Sequence, residues 1–544
     1  MNFFDFDLGV QNIFDKQFSN IPSTDWKKWL DISSKEEYED LSLRNSGLSS
    51  IDDIFGRILK DKLNSKYLSV ERHSYLEKYK GSRTLIICHS SGTTNSDLAA
   101  LKWLPMTEKI IQHYWAPGMQ AIFESSGLNR KSSVIIFVPS RIKIDGLQSY
   151  QGQDYISLYS SEFSQRVMLS IIKPLSYTFF EYKNSKNLDV ISKILSLDNV
   201  SVISAPAITI LGWADLEKFQ IGIKKSLENL PKEKSSLLEE LLVIIKKEGV
   251  EKGAKIIQAK LSEKFSKATI IFSISSLSEQ NWILIRKFMK WQKGKEKFTN
   301  LYVASEIGPF AASISKGDYE LSRLNRMYVF PLTLAVLEYK KKRNLISNFS
   351  DQIGRLYVSR MGDSGALINI DIGDIITIKK SEGLPQIDGT IIRSSFELKY
   401  NVKLSDNIKK PDKYNISAGD FFSFDNFNIS HPRNLLHCLK RSCKLETDAL
   451  LLIQESNQSW KLILPSNLDE KCFDDKIIEI ISKCPTQKEL YQAIVNNFIK
   501  INFIEDQPID FLATRQEILK LVRNGQKPKG ILKKWPLYVM STLK

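Results

Sequence analysis

The chain has 544 residues, 42% hydrophobic and 26% charged, a composition that excludes extensive disorder at a length that allows one large domain and one or two smaller ones. Lys and Arg number 77 against 62 Asp and Glu, giving a net charge of +15, which favours anionic small molecules. The basic residues are scattered among acids and no zinc-finger, RNP or aromatic-interleaved basic signature occurs, so nucleic-acid binding is not expected.

Residues 1–80 read as a helical N-terminal segment of a large domain. The opening MNFFDFDLGVQNIF carries Asp5 and Asp7 where a signal peptide needs a cationic start and an apolar core. STDWKKWL opens on a helix cap, and SSKEEYEDL holds a capping-box pattern. Large-domain character then runs over 81–425. RTLIICHS is strand-like, and MTEKIIQHYWAPGMQAIFESSG reads as a helix closing near a glycine. SSVIIFVPS is a strand, and SSEFSQRVMLSII and DVISKILSL are helices. VSVISAPAITILGWADLEKF starts as a strand and turns helical after Pro206. SSLLEELLVIIKKEG is an amphipathic helix, ATIIFSIS a strand and EQNWILIRKFMKWQ a helix. This alternation predicts an α/β fold, a large multi-layer domain with mainly parallel sheets.

From Asp351 the texture changes to short strands with glycine turns, predicting a barrel-like subdomain over 350–395. Residues 426–544 read as a smaller, mobile C-terminal α+β domain. The longest apolar stretches, such as Val329 to Tyr339, are too short to span a bilayer, so no membrane insertion is expected. Cys88, Cys438, Cys443, Cys472 and Cys484 form no CxxC pair. They are read as reduced packing residues rather than metal ligands, which implies a cytoplasmic location.

Four segments carry the chemistry. The strand Leu85-Ile86-Ile87-Cys88 runs through His89 into Ser90-Ser91-Gly92-Thr93-Thr94-Asn95-Ser96. Hydroxyls and a glycine at a strand's carboxyl end suit a phosphate, because backbone N–H groups approach closely and the side chains add donors. NLYVASEIGPFAA places Glu306 just after a strand, behind Tyr302 and Ser305; LINIDIGDIITI places Asp374 in a tight turn between apolar strands; NGQKPKGILKKW places Lys529 beside a glycine, with Lys527 two residues before it. His89 is either a wall of an acyl pocket or an inert strand-end histidine.

In that order these segments resemble the adenylate-forming superfamily of acyl-CoA synthetases, adenylation domains and firefly luciferase. The nearest look is to plant auxin-conjugating acyl-acid-amido synthetases and phenylacetate-CoA ligases. The resemblance spans about residues 80–535. It implies ATP-dependent activation of a small-molecule carboxylate as an acyl-adenylate, then acyl transfer to an amine or thiol acceptor, coenzyme A included. It further implies that Ser90, Ser91, Gly92, Thr93 and Thr94 hold the phosphates, and that Tyr302, Ser305 and Asp374 complete the ATP site, with Asp374 on the ribose. Glu306 meets Mg2+ through phosphate oxygens, and Lys529 bridges carboxylate and phosphate during adenylation. The chain departs from the pattern at Asn95, where the family has glycine, and at Lys102, seven residues beyond. It departs again in FSISSLSEQ, which lacks the adenine-binding glycines, and near Arg393, where the usual hinge is replaced. These departures define the alternative: a catalytically degenerate ligand-binding member of the same fold.

Overall fold

The computed structural model describes residues 3–50, 76–77, 84–89, 103–141, 145–231, 233–273, 279–314, 326–339, 342–346, 351–361, 367–379, 383–388, 391–398, 403–409, 414–447, 449–456, 458–466, 468, 472–484, 486–510 and 535–542. The chain divides into two compact units. The first comprises Met1–Ser90, Trp103–Ile370 and Ile376–Thr390; the second comprises Ser91–Lys102, Asp371–Ile375 and Ile391–Lys544.

In the first unit, α1 (Phe3–Phe18) and α2 (Lys35–Ser46) are helices as expected. Ser34 caps α2 by accepting from the Glu37 amide, while the Glu37 carboxylate accepts from the Ser33 amide, so the capping pattern acts one residue out of step. Trp26–Asp31 forms a 3-10 turn. Two sheets follow. One has the order β2-β1-β5-β4, with β1 (Leu85–His89) parallel to β5 (Gln153–Tyr159) and antiparallel to β2 (Trp103–Met106); β4 is Gly146–Tyr150. The other contains a parallel run β9-β8-β7-β3-β6, formed by β3 (Ser133–Val138), β6 (Ser176–Glu181), β7 (Val202–Ser204), β8 (Thr269–Ser273) and β9 (Phe298–Ala304). Val134–Val138 and Val202–Ser204 are buried throughout, the signature of strands covered on both faces.

Helices supply that cover. α3 (Ala116–Ser125) packs on α4 (Ser160–Ile172), and α4 packs on α1. α5 (Leu188–Ser196), α6 (Ala207–Ala214), α7 (Leu216–Leu227), α8 (Ser236–Phe265) and α9 (Glu279–Phe288) gather around Trp213, Phe265, Trp282 and Phe298. Two helices differ from expectation. The helix before α3 passes through a π turn at Ile111–Trp115. The helix expected to stop at Gly249 breaks there, with φ of 78°, and resumes to Phe265, because Ala254, Ile257, Leu261 and Phe265 still face the core.

Beyond β9 the sheet turns antiparallel through β10 (Gly308–Ala312), β11 (Met327–Val329), β12 (Leu334–Tyr339), β13 (Lys342–Leu345), β14 (Gln352–Arg360), β15 (Leu367–Lys379) and β16 (Gln386–Ile387), in the order β13-β12-β14-β15-β16-β11-β10-β9. The strands expected as a barrel-like subdomain therefore lie along the path of the large sheet. Asp374 is a correction: it stands inside β15, not in a turn between two strands. Gly373, at φ 76°, absorbs the irregularity within the strand. Ile370, Ile372, Ile376 and Ile378 stay buried on either side of it.

In the second unit a sheet runs β18-β20-β27-β23-β24-β25. Its members are β18 (Phe396–Glu397), β20 (Tyr414–Ala418), β23 (Leu450–Ser456), β24 (Ser459–Pro465), β25 (Ile499–Ile504) and β27 (Leu537–Thr542), while β19 (Lys403–Leu404) pairs with β26 (Ile509–Asp510) and β21 (Phe421–Ser423) with β22 (Asn428–Ser430). The last described strand, β27, sits centrally, antiparallel to β20 and parallel to β23. α10 (Pro432–Cys443), α11 (Asp474–Lys483) and α12 (Lys488–Val495) share one core with the sheet, including Leu435, Leu439, Ile477, Ile481 and Leu490. The expectation of reduced cysteines is overturned for Cys443 and Cys472, while Cys88, Cys438 and Cys484 are free thiols. Cys443 and Cys472 form a disulfide with Cα atoms 5.7 Å apart, because packing of the helix pair brings the end of α10 to the segment that leads into α11.

Candidate active site

The site in the first unit begins at the β9–β10 hairpin. Strand β9 ends at Ala304, Ser305 to Ile307 make the turn, and β10 returns antiparallel with Gly308 opposite Ala304. Glu306 is thus at a strand end as expected, and only 6% exposed. Three contacts fix this turn. The Ser305 hydroxyl lies 2.7 Å from that of Ser160, the first residue of α4. The Arg360 Nε donates to the Glu306 backbone carbonyl at 2.8 Å. Gly308 adopts φ 83°, and a Cβ there would stand 3.1 Å from the Tyr114 carbonyl and 3.3 Å from the Trp115 ring. Only glycine meets both demands without strain. Tyr302 is buried, its ring 5.5 Å from Phe310.

Beside this hairpin lies a cavity of about 250 Å³. Its apolar walls come from Met119 of α3, Phe137 at the end of β3, Ile271 and Phe272 at the end of β8, and Leu301 and Val303 of β9. Its polar edge is Ser160, Ser161, Ser164 and Gln165 on α4, with Ser204 at the end of β7. The cavity therefore opens at the carboxyl ends of the parallel strands β3, β7, β8 and β9, where α/β sheets collect ligands because successive connections leave a crevice there.

The opposite face of α4 is ionic. The Glu162 carboxylate accepts from Arg166 Nε at 2.9 Å and from Arg141 Nε at 2.9 Å. Arg166 also donates to Gln11 at 3.2 Å and sits 4.6 Å from the Phe179 ring centre. Burial works against ionising Glu162, but the guanidinium of Arg166, backed by Arg141, outweighs it and holds the carboxyl below its ordinary range. Helix α4 is thereby pinned in register, which aims Ser161, Ser164 and Gln165 at the cavity. Their i, i+3, i+4 spacing along α4 is the sequence signal that would have revealed this polar edge.

His89 is fully buried and is not a described wall of the cavity. Its Nε2 lies 2.8 Å from Asp145 Oδ1, and its ring packs 4.2 Å from Tyr159. Burial, then the nearby carboxylates of Asp145 and Glu162, push the Cys88 thiol well above its ordinary value, so it is a packing residue.

Asp374 belongs to the second unit. It is 4% exposed and pairs in register with Arg393 of β17 (Ile392–Arg393), next to the Ser394 amide that donates to the Gly373 carbonyl at 2.9 Å. The structure thus brings Tyr302, Ser305 and Glu306 together on one hairpin, with Asp374 in the other unit. Ser90, Ser91, Gly92, Thr93, Thr94, Lys527 and Lys529 lie outside the described residues.

No family model and no curated protein matches this chain. Solved structures do. The chain is similar to the amide bond synthetase McbA from Marinactinospora thermotolerans at 9% identity and TM-score 0.38, over 76% of this chain and 64% of that one. It is similar to an open conformation of 2-hydroxyisobutyryl-CoA ligase, in complex with 2-HIB-AMP and CoA, at 8% identity and TM-score 0.45, over 94% and 90%. It is also similar to fatty acyl-adenylate ligases from E. coli and L. pneumophila at 9% identity and TM-score 0.37, over 78% and 68%. The chain spans less than two thirds of McbA's length. The structures it is similar to are thus those of an amide bond synthetase, a CoA ligase and acyl-adenylate ligases.

Proposed function

We propose that the chain activates a carboxylic acid with ATP as an acyl-adenylate and passes the acyl group to an amine or thiol. An oxygen of the acid attacks the α-phosphorus of ATP; the bond from that phosphorus to the bridging oxygen breaks, and pyrophosphate leaves with the electron pair. The acceptor nitrogen or sulfur then attacks the acyl carbon, gives up its proton, and AMP departs. What supports the reading best is the clamped Glu306 turn beside an apolar cavity at the carboxyl ends of parallel strands.

In this reading the serines and threonines from Ser90 to Thr94 hold the β- and γ-phosphates, Asp374 accepts the ribose hydroxyls, and Lys529 donates to the oxygens that bear charge in the transition state. One preorganised donor of that kind contributes about 3–4 kcal/mol. Glu306 is the residue that would hold Mg2+, in company with phosphate oxygens, where the ion neutralises their charge. A single carboxylate suits an ion that arrives with ATP. Among the described residues no cluster of three or more His, Cys, Asp or Glu side chains forms a resident metal site.

The test is carboxylate-dependent exchange of labelled pyrophosphate into ATP. Exchange is expected with a suitable acid, and Glu306→Ala and Asp374→Ala are each expected to abolish it. ATP binding without exchange for any acid would replace this reading by the ligand-binding one.

A further inference from the structure

We propose that the acid taken by this site has a compact, uncharged acyl portion about the size of one substituted ring, seated in the cavity between α3, α4 and the ends of β3, β8 and β9. The inference rests on the adenylation reading and goes beyond it by naming the substrate class. Size is the first observation. An apolar cavity of about 150 Å³ holds a benzene ring, so about 250 Å³ holds a ring with a few further atoms. A long acyl chain would leave most of its length outside these walls.

Charge is the second. None of the described side chains that line the cavity is ionisable: the walls are Met119, Phe137, Ile271, Phe272, Leu301 and Val303, and the edge is serine and glutamine. An α-ammonium or a second carboxylate placed there would lose hydration with no counter-charge among the described lining residues. The ionic residues of α4, Glu162 and Arg166, already satisfy one another on the other face of the helix.

The third observation is the hydroxyl and amide edge. Ser161, Ser164 and Gln165 line the cavity from one stripe of α4. A hydroxyl and amide edge can meet one neutral polar substituent on the ring, which would otherwise be buried unpaired. The reactive carboxylate is then left at the mouth, on the side of the Glu306 turn, since Leu301 and Val303 belong to the strand that ends in that turn.

The experiment compares pyrophosphate exchange, and calorimetric binding in the presence of ATP, for benzoate, 4-hydroxybenzoate, phenylacetate, palmitate and phenylalanine on the full chain. The ring acids are expected to exceed palmitate and phenylalanine in kcat/KM by about 100-fold or more. Ser161→Phe, at an exposed position on the cavity rim, is expected to lower kcat/KM for phenylacetate by about tenfold or more while leaving ATP affinity unchanged; Met119→Ala, which deepens the cavity, shifts the preference to bulkier ring acids. Palmitate or phenylalanine as the best substrate would overturn this inference while leaving adenylation intact. Ring acids that bind, are displaced by Ser161→Phe, and support no exchange would uphold the cavity assignment and overturn adenylation. Failure of every acid to bind would overturn both.

Discussion

Replacing Glu162 by alanine should cost the first unit about 3–5 kcal/mol, the range for removing one partner of a buried ion pair. The structure places the effect at the upper end of what one side chain can do. Glu162 takes a hydrogen bond from each of two guanidinium groups at 2.9 Å. Arg166 is fully buried, so it cannot turn to water when its partner is lost. Both cations would then share one pocket with nothing between them. Against a typical total of about 5–15 kcal/mol this is a large fraction. Urea denaturation followed by fluorescence, with Trp115 and Trp213 fully buried in this unit, measures it by linear extrapolation. The double variant Glu162→Met with Arg166→Met should recover part of the loss, because it removes the fully buried one of the two charges that Glu162→Ala leaves uncompensated, with only Arg141 remaining. A loss below about 1 kcal/mol for Glu162→Ala, the range of an exposed pair, would refute the reasoning.

Two further outcomes are expected. Because the Glu162 carboxyl is held below its ordinary value of 4.5, its ion pairing stabilises the fold above that pH. The contribution falls away as pH drops through 4.5 toward the lower folded value; urea midpoints between pH 7 and pH 4 should therefore fall more steeply in the wild type than in Glu162→Gln. Gly308→Ala should cost about 1–3 kcal/mol, since it combines φ of 83° with a Cβ 3.1 Å from the Tyr114 carbonyl; an unchanged urea midpoint would show that the turn is not clamped as described.

Much of the local structure was legible in the residues because short-range sterics and hydrophobic period fix it. The helical spacing of Ser160–Ile172 and Leu188–Ser196, the buried run Val134–Val138, and the strand leading to Glu306 are all where those patterns put them. Glycine misled where tertiary packing outweighed it. Gly249 interrupts α8 without ending it, and Gly373 kinks β15 without turning it, because apolar residues on both sides remain committed to the same core.

Contacts between distant parts of the chain were beyond any local pattern. Ser160 meets Ser305 across 145 positions, and Arg166 meets Gln11 across 155. Cys443 pairs with Cys472 only because α10 and the approach to α11 pack together, and β27 enters the middle of its sheet from the far end of the sequence. The sequence by itself determined which segments are strands and helices, since those depend on residues a few positions apart. Only the tertiary structure decided which serines, which wall residues and which turn share one cavity, because that depends on which sheet ends and helix faces meet when the core excludes water.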